Sequence, residues 1–329
     1  MRFVPLLLLL SLLSACGDSR SWLEQRPDSL VKDDQLICII GDPGTGDENQ
    51  WAVARALQTM ECDQIRVLGD VIYPSGITSP QDPLLQSNFM QPYAELLGKG
   101  VPFYLVMGNH DYKQNAGAWL QVAAENPDIV FPNWYYAERW GDICIFSLET
   151  TWYNKLYFIH KRFAETMWLR RTMEAQRDRC GFSLVLGHHP LMSSGRHGDA
   201  GYGEALFLRD EVFGKVDLYI AGHDHYLSDE GDYKGTRQLV SGAAGKLSHL
   251  KGDEQEDEDY HSYGAEGAVF AAWEQGFVTL RFQRDKDGDS VMGDYRFYAV
   301  TPDGEGGYQE LRQVWEGQVR GRGLRLGDG

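Results

Sequence analysis

Short apolar runs punctuate the chain, and five of them end in the same way. Residues 36–40 lead into Gly41-Asp42, 65–68 into Gly69-Asp70, and 101–107 into Gly108-Asn109. Two more, 182–186 and 216–221, lead into Gly187-His188 and Gly222-His223. Near-continuous apolar runs this short predict strands buried on both faces, each closing on a glycine turn and a polar residue. Between them, residues 48–60 place Trp51, Ala54 and Leu57 on one helical face, and 163–177 do the same with Phe163, Met167, Leu169 and Met173. A shorter helix is predicted at 204–213. Strands alternating with helices predict an α/β fold with helices outside a central sheet. After Thr236 the pattern changes to strands and turns, and 277–283 and 295–300 are expected to pair as a hairpin across Asp287-Gly288. The acidic stretch 252–260 reads as a solvated loop.

The N-terminal pattern is of another kind. Arg2 precedes an apolar run, 3–13, too short to span a bilayer as a helix, which is the form of a secretory signal. Leu13-Ser14-Ala15-Cys16 resembles the bacterial lipobox, in which the cysteine is acylated and becomes the mature N-terminus. The expected organisation is a signal peptide at 1–15, a lipoprotein tether at 16–33, one folded domain at 34–316 and a flexible, frayed tail at 317–329. Such a protein would be a monomer anchored by lipid in a bacterial cell envelope, facing the periplasm or exterior. Cys38, Cys62, Cys144 and Cys180 then allow three disulfide pairings, and the sequence selects none.

Charge narrows the partners. Acidic residues outnumber basic ones by 48 to 31, a far field that repels nucleic acid. Bound metals can reverse that sign locally, and the strand ends supply the donors. Asp42, Asp70 and Tyr73 offer anionic oxygen, His188, His223 and His225 imidazole, and Asn109 a neutral oxygen. Ligands gather beyond the carboxyl ends of strands in open α/β sheets. One bridging carboxylate would make this set sufficient for two metals, and two metals about 3.5–4 Å apart clamp the oxygens of a phosphoryl displacement. Competing motifs fail: residues 41–46 lack the Gly-Lys-Ser/Thr ending of a P-loop, and Gly-x-Ser-x-Gly is absent.

Gly41-Asp42-Pro43-Gly44, Gly69-Asp70-Val71-Ile72-Tyr73, Gly108-Asn109-His110-Asp111, Val185-Leu186-Gly187-His188 and Gly222-His223-Asp224-His225 resemble the five motifs of purple acid phosphatases, in their order. The resemblance runs from about 36 to 282 and is nearest to the small, single-domain, tartrate-resistant form, which residues 193–198 and 239–245 also resemble. It implies a metallophosphoesterase αββα sandwich, two mixed β-sheets flanked by helices. It also implies Asp42, Asp70, Tyr73 and His225 around Fe3+, with Asp70 bridging to a divalent Fe2+, Zn2+ or Mn2+ held with Asn109, His188 and His223. Asn109, His110 and His197 would contact a small phosphorylated substrate, and either His110 or His197 would assist protonation of the leaving group. A metal-bound hydroxide would attack phosphorus in line and release inorganic phosphate from a phosphomonoester. A phosphodiesterase acting on nucleotides or lipid head groups is the enzymatic alternative, and a non-catalytic envelope lipoprotein the third.

Tyr73 separates the branches of this superfamily. Commoner metallophosphoesterases carry Asp-x-His in the first motif; Gly44 stands at that histidine's position here, and Tyr73 fills the gap. Phenolate favours ferric iron. Two carboxylates and a phenolate against a ferric and a divalent ion leave a net positive centre even after one hydroxide, fit to receive a phosphate dianion. A mildly acidic pH optimum is expected. His188 rather than the adjacent His189 has the motif's spacing, and His160, His249 and His261 read as ordinary surface histidines.

Overall fold

A computed structural model describes residues 22–24, 35–248 and 267–327. The expected signal segment, Cys16, most of the tether, the acidic loop 252–260, His249 and His261 lie outside the described residues. One sheet has eight strands, ordered β1 (Trp22–Glu24), β6 (Tyr136–Trp140), β7 (Ile143–Ser147), β8 (Phe182–Leu186), β9 (Leu218–Ala221), β11 (Thr236–Ser241), β10 (Leu227–Tyr233) and β12 (Phe270–Ala272). The other has seven, ordered β15 (Tyr308–Arg320), β14 (Val291–Pro302), β13 (Gly276–Arg284), β2 (Leu36–Ile40), β3 (Gln64–Leu68), β4 (Phe103–Val106) and β5 (Ile129–Val130).

Strand periodicity builds the layers. In β2, Ile37 and Ile39 join Leu184, Leu186, Leu218 and Ile220 in a core between the sheets. The alternate residues Leu36, Cys38 and Ile40 face outward, into a second core. That outer core takes Ala52, Val53, Ala56 and Leu57 from α1 (Glu48–Gln58), with the short α2 (Pro83–Leu85) and α3 (Ala94–Gly98), and Trp119 and Val122 from α4 (Ala118–Glu125). On the far face, Leu169 and Met173 of α5 (Ile159–Gln176) and Phe207 of α6 (Tyr202–Phe207) cover the first sheet. The result is an αββα sandwich. Asp47 starts α1 by accepting from the backbone N–H groups of Asn49 and Gln50.

Several expectations need correction. Helix α5 starts four residues before 163, and Phe163 is 68% exposed rather than on the core face. The buried face is Glu165, Leu169, Met173 and Gln176; Glu165 points inward because its carboxylate accepts from the Glu149 backbone N–H at 2.8 Å. The helix predicted at 204–213 is α6 followed by one wider turn, Leu208–Val212. The tail expected to fray at 317 is strand β15 as far as Arg320. Beyond it, Gly321 N–H donates to the Val291 carbonyl, Leu324 is buried, and Arg325 pairs with the buried Asp217. Buried Asp217 needs a cation, which ties the tail down. The hairpin forms, with Val278 opposite Phe297. The disulfides are Cys38–Cys62 and Cys144–Cys180. Among the described residues no helix is long and apolar enough to cross a membrane.

Candidate metal centre

Strands from both sheets end at one place. Asp42 follows β2, Asp70 and Tyr73 follow β3, Asn109 and His110 follow β4, His188 follows β8, and His223 and His225 follow β9. Asp42, Asp70 and His223 adopt left-handed backbone, at φ 57°, 48° and 68°. Non-glycine residues rarely adopt it, and such strain persists where the surrounding fold enforces it, commonly at functional sites. Gly108 shows how tightly the turns meet: a Cβ there would lie 2.3 Å from Asp70 N and Asp70 Oδ1.

The donors divide into two halves around Asp70. On one side, the Tyr73 hydroxyl lies 2.9 Å from Asp42 Oδ1, 2.9 Å from Asp70 Oδ2 and 3.0 Å from His225 Nε2. On the other, His188 Nε2 lies 3.6 Å from Asp70 Oδ1, 3.1 Å from Asn109 Oδ1 and 3.3 Å from His223 Nδ1. Asp70 thus offers one oxygen to each half, the arrangement a bridging carboxylate requires. All seven sequence-predicted ligands come together. Asp42, Asp70 and His188 have donor atoms within 4.8 Å of one another, as do His188, His189 and His223.

Surrounding groups orient the donors. His188 Nδ1 donates to the Leu68 carbonyl at 2.7 Å, which leaves Nε2 to face the centre. Ser248 holds His225 Nδ1 at 2.8 Å, and Asp42 Oδ2 accepts from His223 N–H at 2.7 Å. The buried Asp111 accepts from Gly108 and Val71 N–H groups and ties two of the turns together. His189 stays beside the centre, its ring 4.4 Å from that of His223, with Nδ1 held by the Thr150 hydroxyl at 2.8 Å.

Electrostatics makes this set receptive to cations. Burial, with repulsion from Asp70, pushes Asp42 up to about 8. Burial followed by Asp42 and Asp70 raises the Tyr73 phenol well above its ordinary value. Burial, then the neighbouring histidines, holds His223 well below the usual imidazole range, and burial brings His225 down to about 4. Among the described residues no guanidinium or ammonium hydrogen-bonds to Asp42, Asp70 or Tyr73. Metal binding takes carboxylate, phenolate and neutral imidazole, and a cation at the centre would offset the burial and the repulsion that raise Asp42 and Tyr73, so the residues fit a two-metal centre.

The predicted substrate-contact residues border a cavity of about 350 Å³ lined by Asp70, Asn109, His110, His197, His223 and His225. His110 N–H donates to Asp70 Oδ1 at 2.7 Å, and its Nδ1 donates to the Pro74 carbonyl at 2.7 Å. The His197 ring lies 4.7 Å from that of His223, with its backbone N–H held by Asp224. Sequence reasoning missed Arg196 and Lys246, which line the same cavity; Lys246 Nζ sits 4.6 Å over the Tyr73 ring. A basic residue immediately after Gly245 was the available signal. His160 is exposed.

The profile of the calcineurin-like phosphoesterase family matches residues 36–227. Purple acid phosphatase 3 of Arabidopsis thaliana is 30% identical over 238 residues, 65% of this chain and 64% of that protein. Tartrate-resistant acid phosphatase type 5 of Mus musculus is 30% identical over 217 residues, 59% of this chain and 64% of that protein. The chain therefore spans under two thirds of these relatives' length. Among solved structures, a dimetal phosphatase from Danio rerio superposes with a TM-score of 0.51 at 14% identity, covering 86% of this chain and 98% of that one. GAP50, the anchor in the inner membrane complex of Plasmodium, reaches 0.64 at 17% identity, covering 85% and 88%. Both likenesses concern the fold alone.

Proposed function

This chain belongs to the calcineurin-like phosphoesterase family, and we propose that it is a binuclear-metal acid phosphatase that hydrolyses phosphomonoesters. The observation that carries this reading is the Tyr73 hydroxyl, within 3.0 Å of Asp42, Asp70 and His225. Gly44 is closed to any side chain: a Cβ there would lie 2.0 Å from the Val71 carbonyl oxygen and 2.5 Å from Ile72 Cα. A first-motif histidine has no room, and the phenol occupies the coordinating place.

Asp42, Asp70, Tyr73 and His225 would hold Fe3+, and Asp70, Asn109, His188 and His223 a divalent ion. Such a pair supplies Lewis-acid polarisation of the phosphoryl group and offsets the charge that develops on its oxygens. Arg196 and Lys246 at the cavity wall draw in the phosphate despite the acidic surface. His110 lines the cavity with Nδ1 committed to the Pro74 carbonyl and the Lys113 ammonium 3.0 Å from Nε2, so it faces the phosphate as part of a basic pair. His197 stands where the phosphate cavity adjoins a second one, the place from which to hand a proton to the leaving oxygen.

Turnover of p-nitrophenyl phosphate by purified, metal-analysed protein tests this reading. Asn109→Ala and His223→Ala should each lower kcat by about 10³-fold or more, the loss expected when electrostatic stabilisation is removed; full activity in either would refute the shared site. Bis(p-nitrophenyl) phosphate should be the poorer substrate. We also propose a lipid anchor at Cys16 in a bacterial envelope, from the lipobox resemblance; radiolabelled palmitate should be incorporated and lost in Cys16→Ser.

A further inference from the structure

The cavity at the metal centre adjoins a second one of about 400 Å³, and Asn109, His197 and His223 line both. A phosphate ester seated at the centre can extend its alcohol past these shared residues into the second cavity. The far wall is formed by Glu204, Asn154, Lys155 and Asp199.

Glu204 is 1% exposed, and its two oxygens differ. Oε2 accepts from Gly201 N–H at 3.1 Å at the start of α6. Oε1 is buried without a hydrogen bond; His189 Nε2 lies 3.4 Å away, off the line of one. His189 cannot swing closer, because its other nitrogen is engaged by Thr150. A buried acceptor left unsatisfied is costly, and one facing a polar cavity is relieved by a donor on a ligand.

We infer that this second cavity binds the leaving group of the ester, and that its ligand class is a neutral alcohol bearing further hydroxyls, a polyol or sugar phosphate, with Glu204 as the specificity-determining acceptor. This inference rests on the phosphatase reading above. The lining excludes the other classes in turn. Pro190 and Ala200 are the apolar side chains there, and the rings at its wall are the polar imidazoles of His189, His197 and His223, a poor bed for a long acyl tail. An ammonium-bearing alcohol would meet Lys155, and a second phosphate would meet Asp199 and Glu204. Neutral hydroxyls satisfy all of these groups, since a hydroxyl both donates and accepts.

The test compares glycerol 2-phosphate with phenyl phosphate on metal-loaded full-length protein, for the parent, Glu204→Gln and Glu204→Met. Gln keeps an acceptor for Gly201 but puts an amide NH2 in the place of Oε1; Met loses both. For glycerol 2-phosphate kcat/KM should fall about tenfold in Glu204→Gln, chiefly through KM, and further in Glu204→Met. Phenyl phosphate turnover in Glu204→Gln should stay within about twofold, with an unchanged melting temperature. Equal losses on both substrates, no loss on either, or a parent preference for phosphoethanolamine would overturn the inference while leaving a phosphatase. A parent that turns over neither ester would overturn the phosphatase reading itself.

Discussion

Strand β3 passes through two buried charged clusters that are neutralised in different ways. At mid-strand, Arg66 meets Glu138 of the opposite sheet, with Gln64 accepting from its guanidinium and the Tyr104 ring 3.8 Å beneath it. Both charges are fully buried, and each has its opposite within the chain. Beyond the strand's end, Asp70 joins Asp42 and Tyr73, and among the described residues no guanidinium or ammonium hydrogen-bonds to them. One cluster closes its charge account internally and links the sheets; the other is left for ions to complete. Burial alone therefore does not mark a functional site, whereas an uncompensated charge balance does.

The largest effect should come from breaking the closed cluster. Arg66→Met alone should destabilise the fold by about 3–5 kcal/mol, because Glu138 is left buried and unpaired. Adding Glu138→Leu should recover most of that in urea unfolding; a double variant as unstable as the single would show that pairing is not what balances the site. Opening the other cluster should cost less. Removing metal with a chelator should forfeit about 2.7 kcal/mol at ions hundredfold above Kd. Asp70→Asn should abolish this metal-dependent shift in melting temperature, while Arg66→Met should retain it.

The smallest effect concerns a third solution, in which a proton does the neutralising. Burial pushes Glu149 up to about 8 from an ordinary 4.5, against bonds from Tyr112 and Thr151. The folded chain thus holds a proton that the unfolded chain has released, so the stabilisation is full below pH 4.5 and is lost as pH rises through 8. Stability of the metal-loaded protein should decline between about pH 4.5 and 8, and Glu149→Gln should flatten that slope. An unchanged slope would place the titration elsewhere.

Much of this contrast was legible in the sequence because it lies at strand ends. A buried strand leaves a continuous apolar run, and Asp42, Asp70, Asn109, His188 and His223 each follow one after a glycine. Partners that meet only through tertiary folding left no such trace. Arg66 and Glu138 are 72 residues apart, and Cys38 of β2 pairs with Cys62 in the connection before β3 rather than with Cys144. Phe163 misled because apolar spacing does not say which stripe docks when Glu165 is pulled inward by a backbone N–H. Residues beyond 316 misled because glycines there are set by contacts: Gly317 packs on the Tyr295 hydroxyl, and Trp315 stacks on Phe270 at 5.3 Å. Glu204 was invisible as a site residue, since only the packing of α6 on the Asn154 segment brings it to the cavity.

The central claim is that Tyr73 supplies the ligand for which Gly44 leaves no space. Visible absorption with iron analysis, on protein loaded with iron and on its Tyr73→Phe variant, tests it most directly. The account predicts a tyrosinate-to-iron band in the parent, lost in Tyr73→Phe while zinc or manganese is still bound. A colourless, iron-free parent, or a band that survives Tyr73→Phe, would contradict it.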